Sequence, residues 1–261
     1  MTGSERLEAA KKIAEEAGGL LMNYYGKIRE FEHKGEIDFL TIADMESEKF
    51  IVNRIKTLFP EDAVVAEENG GFDGTSGFKW IIDPLDGTTN FLHSYPLFCV
   101  SIGIEKEGEV IDGVVFCPTM REMFYAEKGK GGFLNGGKIA VSAVESVSNS
   151  LVATGFPYNR RELVDGLLAK LRGVIMNAHG MRRSGVASFD LCSVASGRVD
   201  GFWEEGLKPW DVAAGSLIIN EAGGRITDFS LGGFSIYGNE ILASNGMIHE
   251  EFARVLFGKQ E

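Results

Sequence analysis

The sequence predicts an α/β (α+β) fold built as a single unit of two subdomains, about 1–147 and 148–261. Three observations carry this. Two helix-period stretches open the chain. A run of short β-patterned segments separated by glycine turns fills 98–142. From Val152 onward, strands and helices alternate to the end. No linker, repeat or low-complexity tract divides the halves, so the seam is placed near Val144 to Leu151. With 261 residues, 44% hydrophobic and 25% charged, the chain has the length and composition of a soluble globular protein with a large core.

In order, Leu7, Ala10, Ala14, Ala17, Leu21 and Tyr24 recur at helical spacing with Glu and Lys between them, and Gly26 supplies the stop. Lys27 to Leu40 breaks that period and reads as a mobile loop carrying Lys34 and Asp38, placed to act as a lid. A second helix follows with Ile51, Ile55 and Leu58 as its buried stripe, ended by Pro60. Thr41-Ile42-Ala43-Asp44 has the form of a capping box at its start. Val64–Ala66 and Lys79–Ile82 read as strands, the first ending in Glu67 and Glu68 before glycine. Cys99–Ile104, Val110–Phe116 and Met123–Ala126 are further strands, and Gly129, Gly131, Gly132, Gly136 and Gly137 lack the strand–helix context of a dinucleotide loop and read as hairpin turns. In the second half, Val152–Thr154, Gly201–Glu204 and Ile241–Ser244 are strands, while Leu163–Leu171, Ser188–Ala195, Trp210–Ala222 and Ile248–Phe257 are helices.

The net charge of −12 argues against nucleic acid or an anionic membrane as the main partner, because phosphate contacts need clustered Lys and Arg. An anionic substrate would need bound cations to offset that field. Cys99, Cys117 and Cys192 are an odd count among apolar neighbours and read as buried free thiols. The charged, helical N-terminus is no signal peptide, and no apolar run approaches the roughly 20 residues of a bilayer span. The expected location is cytoplasmic.

The chemistry concentrates in Trp80-Ile-Ile-Asp-Pro-Leu-Asp-Gly-Thr-Thr-Asn-Phe91. An apolar strand delivers two carboxylates into a turn made abrupt by Pro84 and Gly87. Asp83 and Asp86 can grip a hard cation from two sides with the Leu85 carbonyl between them. The N–H groups of Gly87, Thr88 and Thr89 then open a helix toward an anion. Metal beside anion points to phosphate chemistry. A helix–loop–helix calcium loop fails, since its sixth position would be Thr88 and its twelfth Ser94. The Asp-x-Asp of aspartyl-phosphate enzymes is absent, because Leu85 stands where the second acid should be. A Gly-x-x-x-x-Gly-Lys phosphate loop is absent too, which leaves metal-activated water. Asp211, in Pro209-Trp210-Asp211, reads as the N-cap of its helix or as one more carboxylate for the site. Glu67, Asp83, Asp86 and Asp211 with the Leu85 carbonyl would make a two-metal clamp, its ions roughly 3.5–4 Å apart.

Ala66-Glu67-Glu68, the stretch from Trp80 to Phe91, Lys208-Pro-Trp-Asp-Val-Ala-Ala-Gly215 and Glu221-Ala-Gly-Gly224 together resemble the inositol monophosphatase family, over nearly the whole chain. The resemblance implies a layered αβαβα sandwich of the sugar-phosphatase type, a homodimer, and magnesium-dependent, lithium-sensitive hydrolysis of small phosphate monoesters. It implies that Glu67, Asp83 and the Leu85 carbonyl hold one Mg2+, that Asp83, Asp86 and Asp211 hold a second, and that a third lies near Glu67. Thr88 and Asp44 match the pair that helps bound water lose its proton, with Glu67 also in the catalytic set. The amides of Gly87 and Thr88 would hold phosphate oxygens. Asp86, Asp211, Gly185, Val186, Ala187 and Glu204 would meet substrate; Glu204 rather than Glu205 is taken because it lies seven residues before Asp211. Lys34 matches the basic residue of the mobile loop. Arg182 and Arg183 are read either as contacts to a second anionic group or as surface ion pairs, and His93 as a packing or surface residue.

The expected reaction is hydrolysis of inositol 1-phosphate or a similar small phosphorylated polyol or sugar. Fructose-1,6-bisphosphatase, histidinol-phosphate phosphatase and bisphosphate nucleotidase activities share the chemistry. Thr89-Asn90-Phe91 is unlike the Lys-Glu-Phe that the nucleotidases tend to carry. A binding or regulatory protein that keeps the fold without catalysis is the alternative of another class.

Overall fold

A computed structural model of the chain describes residues 4–27, 32–33, 39–68 and 71–258. Ser4 caps α1 (Glu5–Tyr24) by accepting the Leu7 N–H, and Leu7, Ala10, Ile13, Ala14, Ala17 and Leu21 form its buried face. Residues 28–31 and 34–38, with Lys34, lie outside the described residues; between them β1 (Glu32–His33) pairs antiparallel with β2 (Phe39–Leu40), where the sequence reads as loop throughout. Thr41 caps α2 (Ile42–Leu58) in a full capping box with Asp44. Ile51 and Ile55 are buried, but Leu58 is 48% exposed, because it lies in the last turn beyond the edge of the packed face.

The first sheet is built from β3 (Ala63–Ala66), β4 (Phe78–Asp86), β5 (Cys99–Lys106), β6 (Glu109–Cys117), β7 (Glu122–Glu127), β8 (Gly131–Leu134) and β9 (Gly137–Lys138), hydrogen-bonded in that order, with α3 (Thr88–Leu92) between β4 and β5. Only the β3–β4 pair is parallel. The glycine-rich turns expected to be hairpins do join β7, β8 and β9.

The second half runs β10 (Leu151–Thr154), α4 (Arg160–Asn177), β11 (Gly180–Arg182), α5 (Ala187–Ala195), β12 (Gly201–Glu205), α6 (Pro209–Glu221), β13 (Arg225–Thr227), β14 (Glu240–Ser244) and α7 (His249–Phe257). Its five strands order as β11-β10-β12-β14-β13. The sequence does not reveal β11 and β13: each is a three-residue strand at a sheet edge, too short for a period.

Side-chain alternation places the layers. Along β4, Trp80 and Ile82 pack with α1 and α2, whereas Ile81 faces α5 and α6. On the second sheet Ala153, Phe202 and Ala243 meet that same helix pair, while Val152, Trp203 and Leu242 face α4 and α7. The layers are therefore helix, sheet, helix, sheet, helix. Cys99, Cys117 and Cys192 are free thiols buried in the central core. No helix among the described residues is long and apolar enough to cross a membrane.

Candidate active site

The site forms where β4 stops being regular. Asp83 pairs with Ser101 and Asp86 with Cys99, so Pro84 and Leu85 together oppose Val100 alone. That is a β-bulge, and it replaces the abrupt turn the sequence leads one to expect. Pro84 has no N–H to lose from the ladder, and its carbonyl accepts the Ser47 hydroxyl of α2 at 3.0 Å. The Leu85 N–H donates to Asp83 Oδ1 at 3.0 Å. The extra residue re-aims the strand, so Asp83, Leu85 and Asp86 all line one cleft. Gly87 follows with φ +97°, and a Cβ there would stand 2.7 Å from Val186 Cγ2, so glycine is required twice over.

The cleft has a volume of about 680 Å³. Glu67 reaches it from the end of β3, Asp211 from the first turn of α6 and Glu204 from β12. Gly87, Thr88, Gly185, Val186, Ala187 and Arg183 line it as well. Asp211 is not the N-cap of α6: Lys208 holds that position, Pro209 occupies the first turn, and the Asp211 carboxylate accepts the Lys208 N–H at 2.6 Å. Arg182 does not line the cleft; it is exposed on the edge strand β11, donating to its neighbour's carbonyl, that of Met181. His93 is exposed.

Asp44 stands behind Thr88. The Thr88 hydroxyl lies 3.1 Å from Asp44 Oδ1 and 3.2 Å from the Leu85 carbonyl, while Asp44 Oδ2 accepts the Thr41 N–H at 2.9 Å and the Thr41 hydroxyl. The capping contact and the contact to Thr88 thus use different oxygens of one carboxylate.

The acids are held against their electrostatic preference. Burial, then the charges of Glu67, Asp86 and Asp211, push the Asp83 carboxyl well above its ordinary range. Burial lifts Asp86 to about 6, against the opposing hydrogen bonds of Ser188 and Ala187. Burial raises Asp211 and Glu204 too, with Asp86 and Asp211 the next contributors respectively. Such a cluster of hard oxygen donors is suited to divalent cations. Among the described residues no three carboxylate, imidazole or thiolate groups close on a common point as they stand. Like charges facing one another across a cleft keep apart, and a cation between them removes that repulsion.

Four side chains at the site escape a reading of the sequence. Asn90 Nδ2 donates to the carbonyls of Leu97, at 3.0 Å, and Ser184, at 2.9 Å, which ties the segment after β4 to the one preceding α5. The Ser184 hydroxyl donates to Asp190 at 2.7 Å. Burial raises Asp190, which lines the cleft, to about 7. Ser188 donates to Asp86 from both its N–H and its hydroxyl. Only Asn90 left a signal, as part of the run from Trp80 to Phe91; Ser184 and Ser188 meet Asn90 and Asp86 across 94 and 102 residues, and Asp190, six residues from Ser184, faces the cleft only through the packing of its helix.

The model of the inositol monophosphatase family matches residues 3–260. An inositol-1-monophosphatase of Synechocystis is 41% identical over 96% of this chain and 88% of its own length. A putative Nus factor SuhB of Neisseria meningitidis is 37% identical over 96% and 97%. The crystal structure of the extragenic suppressor protein suhB from Bartonella henselae superposes with a TM-score of 0.94 at 38% identity, covering 97% of this chain and 99% of that one. The chain belongs to the inositol monophosphatase family and is a phosphoric monoester hydrolase.

Proposed function

We propose that the protein hydrolyses inositol 1-phosphate, or a closely similar polyol phosphate, with two or three Mg2+ ions per site. The observation that carries this reading is the convergence of Glu67, Asp83, Asp86 and Asp211 on one cleft together with the Thr88–Asp44 hydrogen bond. Glu67, Asp83, Asp86, Asp211 and the Leu85 carbonyl would hold the ions. When bound, they supply Lewis acidity and lower the pKa of a coordinated water. The Thr88 hydroxyl oxygen would take a hydrogen bond from that water, while the Thr88 hydroxyl hydrogen is donated to Asp44 Oδ1, so a proton leaving the water has the Asp44 carboxylate as its acceptor. The amides of Gly87 and Thr88 bind phosphate oxygens, and Gly185, Val186, Ala187 and Glu204 orient the alcohol. The family resemblance supports lithium sensitivity, a homodimer and a cytoplasmic location as parts of the same proposal.

A second reading has its own observation. Arg160, Arg183 and Lys208 line the cleft, and among the described residues none of them has an ion-pair partner. Arg183 stacks over Phe156 at 5.5 Å. A second phosphate, as in fructose 1,6-bisphosphate, would meet these cations.

Phosphate release measured with and without Mg2+ over inositol, fructose, histidinol and nucleotide phosphates separates these readings, and also the non-catalytic role that a relative named as a Nus factor brings to mind. Asp86→Asn should abolish turnover in a protein that still folds, since it removes charge from the ion site and nothing from the core. Near-normal Mg2+-dependent turnover in that variant would sink the assignment. Arg183→Ala should slow only substrates that carry a second phosphate.

A further inference from the structure

We propose that Ser188 is a positioning residue for the metal site: it holds one oxygen of Asp86 with two donors and so fixes the edge of that carboxylate offered to a cation. The inference rests on the phosphatase reading above. The Ser188 N–H lies 2.8 Å from Asp86 Oδ2 and the Ser188 hydroxyl 2.6 Å from the same oxygen. Two charge-assisted bonds fill the accepting capacity of Oδ2 and stop the carboxylate turning about its last torsion. The Ala187 N–H also approaches this carboxylate, but both hydrogen bonds of good geometry fall on Oδ2, which leaves Oδ1 to face the ion.

The two donors differ in meaning. An N–H in the first turn of α5 has no partner inside its helix, and any residue but proline at this position would offer it. The hydroxyl is available only from Ser or Thr. Nor does the segment need that hydroxyl to keep its shape. Asn90 already holds the Ser184 carbonyl, and the Ser184 hydroxyl accepts the Val186 N–H at 3.1 Å and donates to Asp190. Ser188 is fully buried and Asp86 is 8% exposed, so water does not replace a lost donor readily. Partners that orient a ligand from behind set metal affinity in just this way.

The test uses the full chain and Mn2+ as the probe. Binding is titrated by electron paramagnetic resonance, and the metal-free melt is followed by circular dichroism. Ser188→Ala keeps the N–H and loses the hydroxyl, and its Mn2+ affinity should fall roughly 10- to 100-fold while the metal-free melt stays close to wild type. Ser188→Gly, which adds no atoms, should behave alike, and Ser188→Thr should recover most of the affinity. Wild-type affinity in Ser188→Ala overturns the proposal. So does a collapsed melt in Ser188→Ala that Ser188→Thr repeats, since Ser188 would then serve the fold alone. If the wild-type chain binds no Mn2+, the phosphatase reading fails first and takes this inference with it.

Discussion

Asp44 serves two neighbours at once. One oxygen closes the capping box of α2 and the other faces the Thr88 hydroxyl. The sequence offers these as rival readings; in three dimensions a carboxylate has oxygens enough for both. The Thr88 hydroxyl also approaches the Leu85 carbonyl but caps no helix, which makes it the cleaner test. Replacing it with alanine should lower kcat roughly 10²- to 10³-fold, in the range of lost acid–base assistance, with little change in metal affinity. Single-turnover kinetics beside a Mn2+ titration decides the matter, and an unchanged single-turnover rate removes Thr88 from water activation.

Among the elements, the decisive one is the bulged end of β4, since two acids three residues apart on a regular strand would point to opposite faces. The bulge brings both into one cleft. The next is α6, which carries Asp211 and lies close on the first sheet. A Cβ built on Gly113 would stand 2.9 Å from the Ala214 carbonyl oxygen and 3.1 Å from Ala214 Cα, both backbone atoms of that helix. Gly113→Ala should therefore push α6 outward, costing about 1–3 kcal/mol as overpacking does, and should displace Asp211 from the other acids. Urea unfolding together with Mg2+-dependent phosphate release reads both effects. Full stability with full activity would show that the helix yields freely.

At the scale of the molecule, His249 makes the fold sensitive to acid. It is fully buried at the start of α7, with Nε2 2.9 Å from the Thr227 hydroxyl and Nδ1 2.8 Å from the Ser244 hydroxyl, so it ties β13 to β14. Burial, then the nearby Arg225, lowers its pKa from 6.5 to about 4. The unfolded chain takes up a proton near pH 6.5 and the folded one refuses it until about pH 4. The contribution is thus complete above about 6.5 and lost as pH falls to 4, on the order of 3 kcal/mol. Asp190, raised to about 7, runs the other way and stabilises the fold as pH falls. Comparing the wild type with His249→Gln isolates the histidine. Urea melts at pH 7.5 and 4.5 should show a shallower loss in the variant, and equal losses would refute the account.

Most of the fold and the acids that line the cleft are legible in the sequence, because they rest on local rules. Helical spacing marks α1 and α6, alternation marks β5 to β7, and Pro and Gly bracket Asp83 and Asp86. What those rules do not reach is anything set by packing between distant segments. Leu58 fits a buried period yet lies past the core's edge, and Arg182 and Arg183 are adjacent while only Arg183 faces the cleft. Ser188 reaches Asp86 across 102 residues and Asn90 reaches Ser184 across 94. The sequence by itself determined which acids stand close enough along the chain or at element ends to be offered to a cation, and which helices and strands carry them. Only the tertiary structure decided how those acids are aimed, since the bulge at Pro84 and Leu85 and the Ser188 donors take their effect from neighbours that chain order does not name.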